Sequence, residues 1–256
     1  MGTDTFDQQC LNRVIAQQNK IIHDQTDVNL STLINGAFVN TKRLSRFEVA
    51  KPHDFDFKCI SADHDIFTGR LFSVEQCAQL NRMSEYHAYK GMGSEIDSGW
   101  TNQIYTLTAQ HMACESVPGF ISTTNDIFRQ LLRELYSLWP GRVRQGTIEL
   151  ESSGEPHLVK YNGKARGTVL HTDNHDEYAS KSITVNVLLS DNDDFGGGGT
   201  YISAIDRTIK LEQGEMLIHL GDLEHAGADI TFGVRRLLVA FLACEWEDTE
   251  KMNNQS

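Results

Sequence analysis

His171-Thr172-Asp173 places an imidazole and a carboxylate two residues apart. Side chains alternate along an extended chain, so His171 and Asp173 face the same way while Thr172 faces the other. Their Cα atoms are then about 6.6 Å apart, close enough to hold one metal ion between the two side chains. His225 is the candidate third ligand, just beyond the apolar run Met216–Leu220. Two imidazoles and one carboxylate form the facial set that suits Fe(II). Three ligands on one face of an octahedron leave three adjacent positions free. Two of these can chelate a 2-oxo acid and the third can take O2. Zinc would instead favour a tetrahedral site with one position left for water.

Such a centre carries net charge +1, and a dicarboxylate bringing −2 needs a further cation at its far end. An arginine fork can meet that carboxylate in two places. Arg235 and Arg236 are both candidates, and alternation sends them to opposite faces of one strand. Both faces of that strand are apolar, with Leu237, Val239 and Phe241 against Leu238, Ala240 and Leu242. Periodicity alone does not choose between the two arginines.

Short β-rich runs separated by Gly, Asn and Asp turns position these residues. They are Thr147–Glu151, His157–Tyr161, Thr168–His171, Ile183–Leu189, Thr200–Ser203, Thr208–Leu211, Met216–Leu220 and Arg235–Cys244. Eight such strands predict a jelly roll or small barrel over residues 146–246. Residues 1–145 read as a helix-rich support region of the same domain. Leu11, Val14, Ile15, Ile21 and Ile22 have helical spacing within residues 6–22, and Ser73-Val-Glu-Gln76 forms a capping box before another helix. A third helix is expected over Asp126–Trp139, stopped by Pro140-Gly141. Short strand-like pieces occur at Ala37–Asn40 and Asp54–Ile60. The stretch Gly91–Gly119 reads as a surface loop or a lid, and Asn174–Ser182 as a second loop beside the site. Trp246–Ser256 reads as a polar frayed tail, with residues 247–256 outside the core.

The chain has 256 residues, enough to bury a core without disulfide or metal staples, and carries 23 Lys+Arg against 35 Asp+Glu. A formal charge of −12 opposes binding to nucleic acid by phosphate neutralisation and tilts towards a basic partner. The five cysteines are scattered, with no CxxC pair. The N-terminus lacks the basic start and apolar run of a signal peptide, and no apolar stretch approaches membrane-spanning length. These features predict a reduced intracellular, cytoplasmic setting, with the nucleus left open and no membrane partner.

The region around the second histidine resembles a known family. His225-Ala-Gly227, Thr231, Gly233-Val-Arg235 and Val239-Ala-Phe241 are similar to the end of the 2-oxoglutarate- and Fe(II)-dependent prolyl and lysyl hydroxylases. The catalytic domain of procollagen-lysine hydroxylases is the nearest likeness. His157-Leu-Val-Lys-Tyr161, Ser182–Leu189, Phe195-Gly-Gly-Gly-Gly-Thr200 and Gly214–Gly221 resemble further elements in the same order. The segment from Gly221 to His225 is shorter than in the collagen lysyl hydroxylases, which implies a different loop at the metal. The likeness covers about residues 156–242.

The resemblance implies a mainly β protein with supporting α-helices, its double-stranded β-helix (a cupin-like jelly roll) packed by the N-terminal helices. It implies Fe(II), with 2-oxoglutarate and O2 as co-substrates, succinate and CO2 as products, and ascorbate as a reductant. His171, Asp173 and His225 carry over as iron ligands and Arg235 as the carboxylate partner. Tyr161 and Thr200 carry over as further 2-oxoglutarate contacts. The substrate implied is a peptidyl lysine or proline, or an amino-acid-like molecule. In related halogenases a small residue replaces the carboxylate, so Asp173 implies hydroxylation.

Two other readings use the same residues. A zinc-dependent hydrolase or isomerase on a cupin-like barrel would employ the three ligands but leave Arg235 idle. A metal-free cupin-like binding module would need none of them. His219 reads as a structural histidine, Cys244 as a small buried hydrophobe, and the Gly196–Gly199 run lacks a phosphate-loop pattern.

Overall fold

The computed structural model describes residues 53–91, 99–102, 109–151, 155–163, 165–174 and 182–247. The expected helix within 6–22 and strand at Ala37–Asn40 lie outside them, as does most of the Asn174–Ser182 loop.

The chain enters a hairpin of β1 (Lys58–Ser61) and β2 (Ile66–Arg70), then helix α1 (Val74–Gly91). The capping box forms in both directions. Ser73 Oγ accepts from the Gln76 backbone N–H at 3.2 Å, and Gln76 Oε1 accepts from the Ser73 N–H at 2.8 Å. Strands β3 (Thr101–Asn102) and β4 (Ala109–Ala113) precede helix α2 (Phe120–Glu134), which tightens into a 3₁₀ turn at Leu135–Leu138. Helix α2 begins well before the expected Asp126. Gly119 at φ 81° supplies the left-handed residue at its start, and Phe120, Ile127 and Leu131 bury one face.

Nine further strands follow: β5 (Glu149–Leu150), β6 (His157–Asn162), β7 (Ile183–Leu188), β8 (Phe195–Gly197), β9 (Thr200–Ile202), β10 (Arg207–Ile209), β11 (Glu215–Leu220), β12 (His225–Gly227) and β13 (Ile230–Ala243). The large antiparallel sheet runs β1-β2-β11-β7-β13-β6-β4-β3, with β5 and β8 also paired to β13. A smaller sheet has the order β10-β9-β12. This is the expected jelly roll with two supporting helices. Its large sheet draws β1–β4 from before residue 146, beyond the 146–246 limit read from the sequence. These strands are too short to show their own periodicity and gain their pairing from distant partners.

Period-two burial divides the core. On one face of the large sheet, Val185, Val187, Met216, Ile218, Leu238 and Ala240 pack with Leu80 of α1 and Ile127 and Leu131 of α2. On the other, Leu188, Leu217, Leu237 and Val239 meet Ile202 and Ile209 of the small sheet. The second face is the interior of the roll.

Three expectations are corrected. Ala109–Ala113, placed in a loop or lid, is a strand between β3 and β6, with Met112 and Cys114 in the core. Thr168–His171 is not a strand. It meets β12 through Thr168 N to Gly227 O at 3.1 Å, Gly227 N to Thr168 Oγ1 at 2.6 Å and a bridge from His171 to His225, leaving Val169 70% and Leu170 46% exposed. Trp246 does not fray: it bridges Val143 and stands edge-on to Trp139 at 6.1 Å. Cys59, Cys77, Cys114 and Cys244 are not joined in disulfides, and Cys244 is buried as expected. Among the described residues, no helix is long and apolar enough to cross a membrane.

Candidate metal centre

His171 and His225 are tied by reciprocal backbone bonds, His171 N to His225 O at 2.9 Å and His225 N to His171 O at 2.8 Å. That bridge holds the two rings 4.5 Å apart. Each ring places Nδ1 against a backbone carbonyl: Val169 O at 2.8 Å for His171 and Leu223 O at 2.9 Å for His225. A carbonyl only accepts, so Nδ1 carries the proton and Nε2 keeps its lone pair free. Both Nε2 atoms stand 3.6 Å from Asp173, one from each carboxylate oxygen. Asp173 and Asn174 both donate their backbone N–H to Gly221 O, fixing the turn that carries the carboxylate. The ligand atoms of His171, Asp173 and His225 lie within 4.8 Å of one another, and among the described residues no other such group forms.

Thr184 completes this arrangement. Its hydroxyl donates to Asp173 Oδ2 at 2.7 Å, orienting the carboxylate as outer-shell partners of metal ligands do. The sequence reading missed Thr184. Its signal was present in Ile183-Thr-Val-Asn-Val-Leu188, where polar Thr184 and Asn186 recur at period two in a wholly buried strand.

The pleat also decides between the arginines. Arg236 points to the helical face, where its Nε and Nη2 reach Glu85 Oε1 of α1 at 2.8 Å. Lys160, its cross-strand neighbour, binds the same carboxylate at 2.9 Å. Burial alone would raise the Glu85 carboxyl pKa, but Arg236 and Lys160 outweigh it and hold the group below its ordinary value. Arg235 points into the roll, 4% exposed, directly opposite Tyr161 on β6, with its guanidinium 5.7 Å from the Tyr161 ring centre. Burial lowers its pKa, yet an arginine stays charged. Among the described residues it has no hydrogen-bond acceptor and no ion pair.

Arg235 opens onto a cavity of about 160 Å³ lined by Leu188, Asn192, Phe195, Gly199, Lys210 and Leu211 among others. Gly198, at φ 68°, packs against it: a Cβ there would meet the Arg235 Cδ at 3.1 Å. The glycine at 198 thus lets backbone approach the stem of the Arg235 side chain. Tyr161 is buried beside Arg235, and burial raises its phenol pKa. Thr200 is buried next to Gly199 but does not line the cavity.

His219 lies fully buried with its ring 4.7 Å from His225, outside the ligand cluster. Burial, and then His225, push its pKa down to about 4. Its Nδ1 faces Leu220 O at 2.8 Å and its Nε2 faces the Asn186 amide at 3.5 Å, the pattern of a neutral structural ring.

The donor set therefore fits a divalent ion of the Fe(II) type. Two orphaned imidazole lone pairs and a carboxylate converge, and a buried unpaired cation lies on the same interior face.

No sequence-family model matches the chain, and no curated protein sequence does. Solved structures do match. The non-heme alpha ketoglutarate dependent carbocyclase SnoK from nogalamycin biosynthesis is 13% identical, covering 81% of this chain and 94% of its own, at TM-score 0.54. A prolyl hydroxylase from Trichoplax adhaerens, solved with a hypoxia inducible factor peptide fragment, is 14% identical, covering 75% and 88% at TM-score 0.51. A viral collagen prolyl hydroxylase from Paramecium Bursaria Chlorella virus-1, solved as a 2OG complex, is 14% identical, covering 72% and 98% at TM-score 0.50. The chain has the jelly-roll fold shared by these prolyl hydroxylases and the carbocyclase.

Proposed function

We propose that this protein is an Fe(II)- and 2-oxoglutarate-dependent dioxygenase that hydroxylates a C–H bond. The observation that carries the reading is the pairing of two features on one interior face. His171, Asp173 and His225 converge at one place, and the buried Arg235, with no acceptor among the described residues, stands at another. A zinc hydrolase would use the first feature and leave the second without a role. The fold likeness to 2-oxoglutarate-dependent proteins supports the choice.

In this reading His171, Asp173 and His225 are the metal ligands. The Val169 and Leu223 carbonyls fix the tautomers that present Nε2 forward, and Thr184 holds Asp173 so that Oδ1 remains available. Arg235 receives the distal carboxylate of 2-oxoglutarate in a fork, with Tyr161 as the wall beneath it and Thr200 a neighbour of the same pocket. Bound Fe(II) and 2-oxoglutarate would supply the oxidative decarboxylation with O2 that yields succinate, CO2 and the hydroxylated product, with ascorbate as reductant. Excluding water is the task of the apolar interior, chiefly Leu188, Leu237 and Val239.

A peptidyl lysine or proline, or an amino-acid-like molecule, is the proposed substrate. A peptide bound to the Trichoplax relative supports the first. Val169 and Leu170, exposed immediately before His171, give the rim of the site an apolar contact surface.

The test is anaerobic addition of Fe(II) and then 2-oxoglutarate to the wild type and to Asp173→Ala and Arg235→Ala variants. A metal-to-ligand charge-transfer band that weakens in both variants is the expected outcome. No band, with tight zinc binding in its place, would overturn the assignment.

A further inference from the structure

The cavity beside Arg235 contains a second cation. Lys210, directly after β10 of the small sheet, lines it together with Leu188 and Arg235 of the large sheet. Among the described residues neither Lys210 nor Arg235 forms an ion pair. The wall is otherwise neutral: Leu188, Leu211, Phe195, glycine backbone and Asn192. Asn192 is already engaged, donating to Leu211 O at 2.9 Å and accepting from the Gln213 N–H at 3.1 Å. The pocket thus brings two positive groups together with no carboxylate among the described residues paired to either.

This differs from a second basic cluster among the described residues. There Lys160 and Arg236 also come together, but Glu85 closes the pair from α1. At Arg235 and Lys210 the place of Glu85 is open. An anion from solution that fills it offsets the cost of a guanidinium taken out of water and left unpaired.

We infer that Lys210 is a second binding residue for the distal carboxylate of the 2-oxo acid, and that it sets how long an acid the pocket accepts. The inference rests on the dioxygenase reading above. Arg235 is buried and fixed by its strand, so it defines the near position of the carboxylate. Lys210 is exposed and on a flexible stem, so it can follow an anion displaced from that near position. A 2-oxo acid one methylene longer than 2-oxoglutarate displaces its carboxylate in this way and depends more on Lys210.

The experiment measures anaerobic binding of 2-oxoglutarate and 2-oxoadipate to the Fe(II)-loaded wild type, Lys210→Ala and Lys210→Arg, by the charge-transfer band and by calorimetry. Lys210→Ala is expected to weaken 2-oxoglutarate about fivefold, the upper scale for a solvent-accessible ion pair, and 2-oxoadipate by more. Lys210→Arg should restore most of both, and the loss should shrink with added salt. Equal weakening of both acids would remove the chain-length role. Unchanged affinity in Lys210→Ala, with the wild type binding normally, would overturn the inference while leaving the dioxygenase reading intact. A wild type that holds Fe(II) but binds neither acid would bring down that reading and this inference with it. Calorimetric binding and the unfolding midpoint of each variant separate a lost contact from a lost fold.

Discussion

Replacing Arg235 by Met should have opposite effects with and without co-substrate. In the free protein Arg235 is 4% exposed and finds no acceptor among the described residues. Among those residues its favourable contact is the Tyr161 ring at 5.7 Å. Desolvating an unpaired cation costs several kcal/mol, whereas a cation–π contact returns about 1 kcal/mol. A methionine of similar reach fills the space without the charge, so the ligand-free variant should be as stable as the wild type or more stable by about 1–2 kcal/mol. Binding should move the other way. Losing a buried charge-assisted pair costs about 2–5 kcal/mol, which is roughly 30- to 5,000-fold in the affinity for 2-oxoglutarate. A ligand at 100 times its Kd adds ~2.7 kcal/mol to the stability of the folded state, and the variant should forfeit that gain. Urea unfolding with anaerobic Mn(II), with and without 2-oxoglutarate, measures both effects together. The curves should cross: Arg235→Met the more stable alone, wild type the more stable with the acid. A variant weaker by the same amount in both conditions would show that Arg235 supports the fold and not a ligand.

Three further outcomes follow from other groups. Thr184→Val should lower the affinity for Mn(II) by about 10–100-fold with little change in stability, because it frees Asp173 while keeping the side-chain shape; unchanged calorimetric affinity would remove Thr184 from the site. Glu85→Gln should cost about 1–2 kcal/mol in urea, reduced from the fully buried case because the Glu85 side chain is 37% exposed. Its carboxyl is held low, so the stability it gives is present above the unfolded pKa near 4.5 and is lost as pH falls through the lower folded value; Glu85→Gln should erase that acid-side loss. His111 is pushed from 6.5 to about 4, by burial first and then by His157. The neutral ring is the folded form, so stability is full above pH 6.5 and declines from there towards pH 4; a pH series on His111→Gln that kept the whole decline would contradict this.

The candidate site was more legible than the sheet that holds it. His171 and Asp173 are two residues apart, and alternation alone puts them on one side. That inference survives even though Thr168–His171 proves not to be a strand, since the bridge to His225 fixes His171 and the bonds from Asp173 N and Asn174 N to Gly221 O fix the turn that carries the carboxylate. The strand at Ala109–Ala113 could not be read because Ala-Gln-His-Met-Ala has no clear period. Its state comes from pairing with β6. The strand-like piece expected at Asp54–Ile60 overlaps β1, but β2 was not read, since its place depends on β11, far along the chain. Lys210 carried no local signal, because it reaches the cavity through the turn after β10 and through no motif of its own.

Arg235 and Arg236 show why one link could not be made without coordinates. Both faces of β13 are apolar, because each packs against a different layer: helices on one side, the small sheet on the other. The deciding feature is which face meets a carboxylate. Glu85 on α1 captures Arg236, and the pleat then commits Arg235 to the interior. The same pleat sets the length of the site. On β7, Thr184 holds Asp173 at one end and Leu188 walls the arginine cavity at the other, four residues or about 13 Å along the strand. Its antiparallel neighbour β13 places Phe241 opposite Thr184 and Leu237 opposite Leu188, with Arg235 two residues beyond. Ligand cluster and arginine are therefore spaced by two paired strands and not by a loop. A slip of one residue on β13 would turn Arg235 towards Glu85 and Arg236 into the roll, exchanging a structural ion pair for a binding cation.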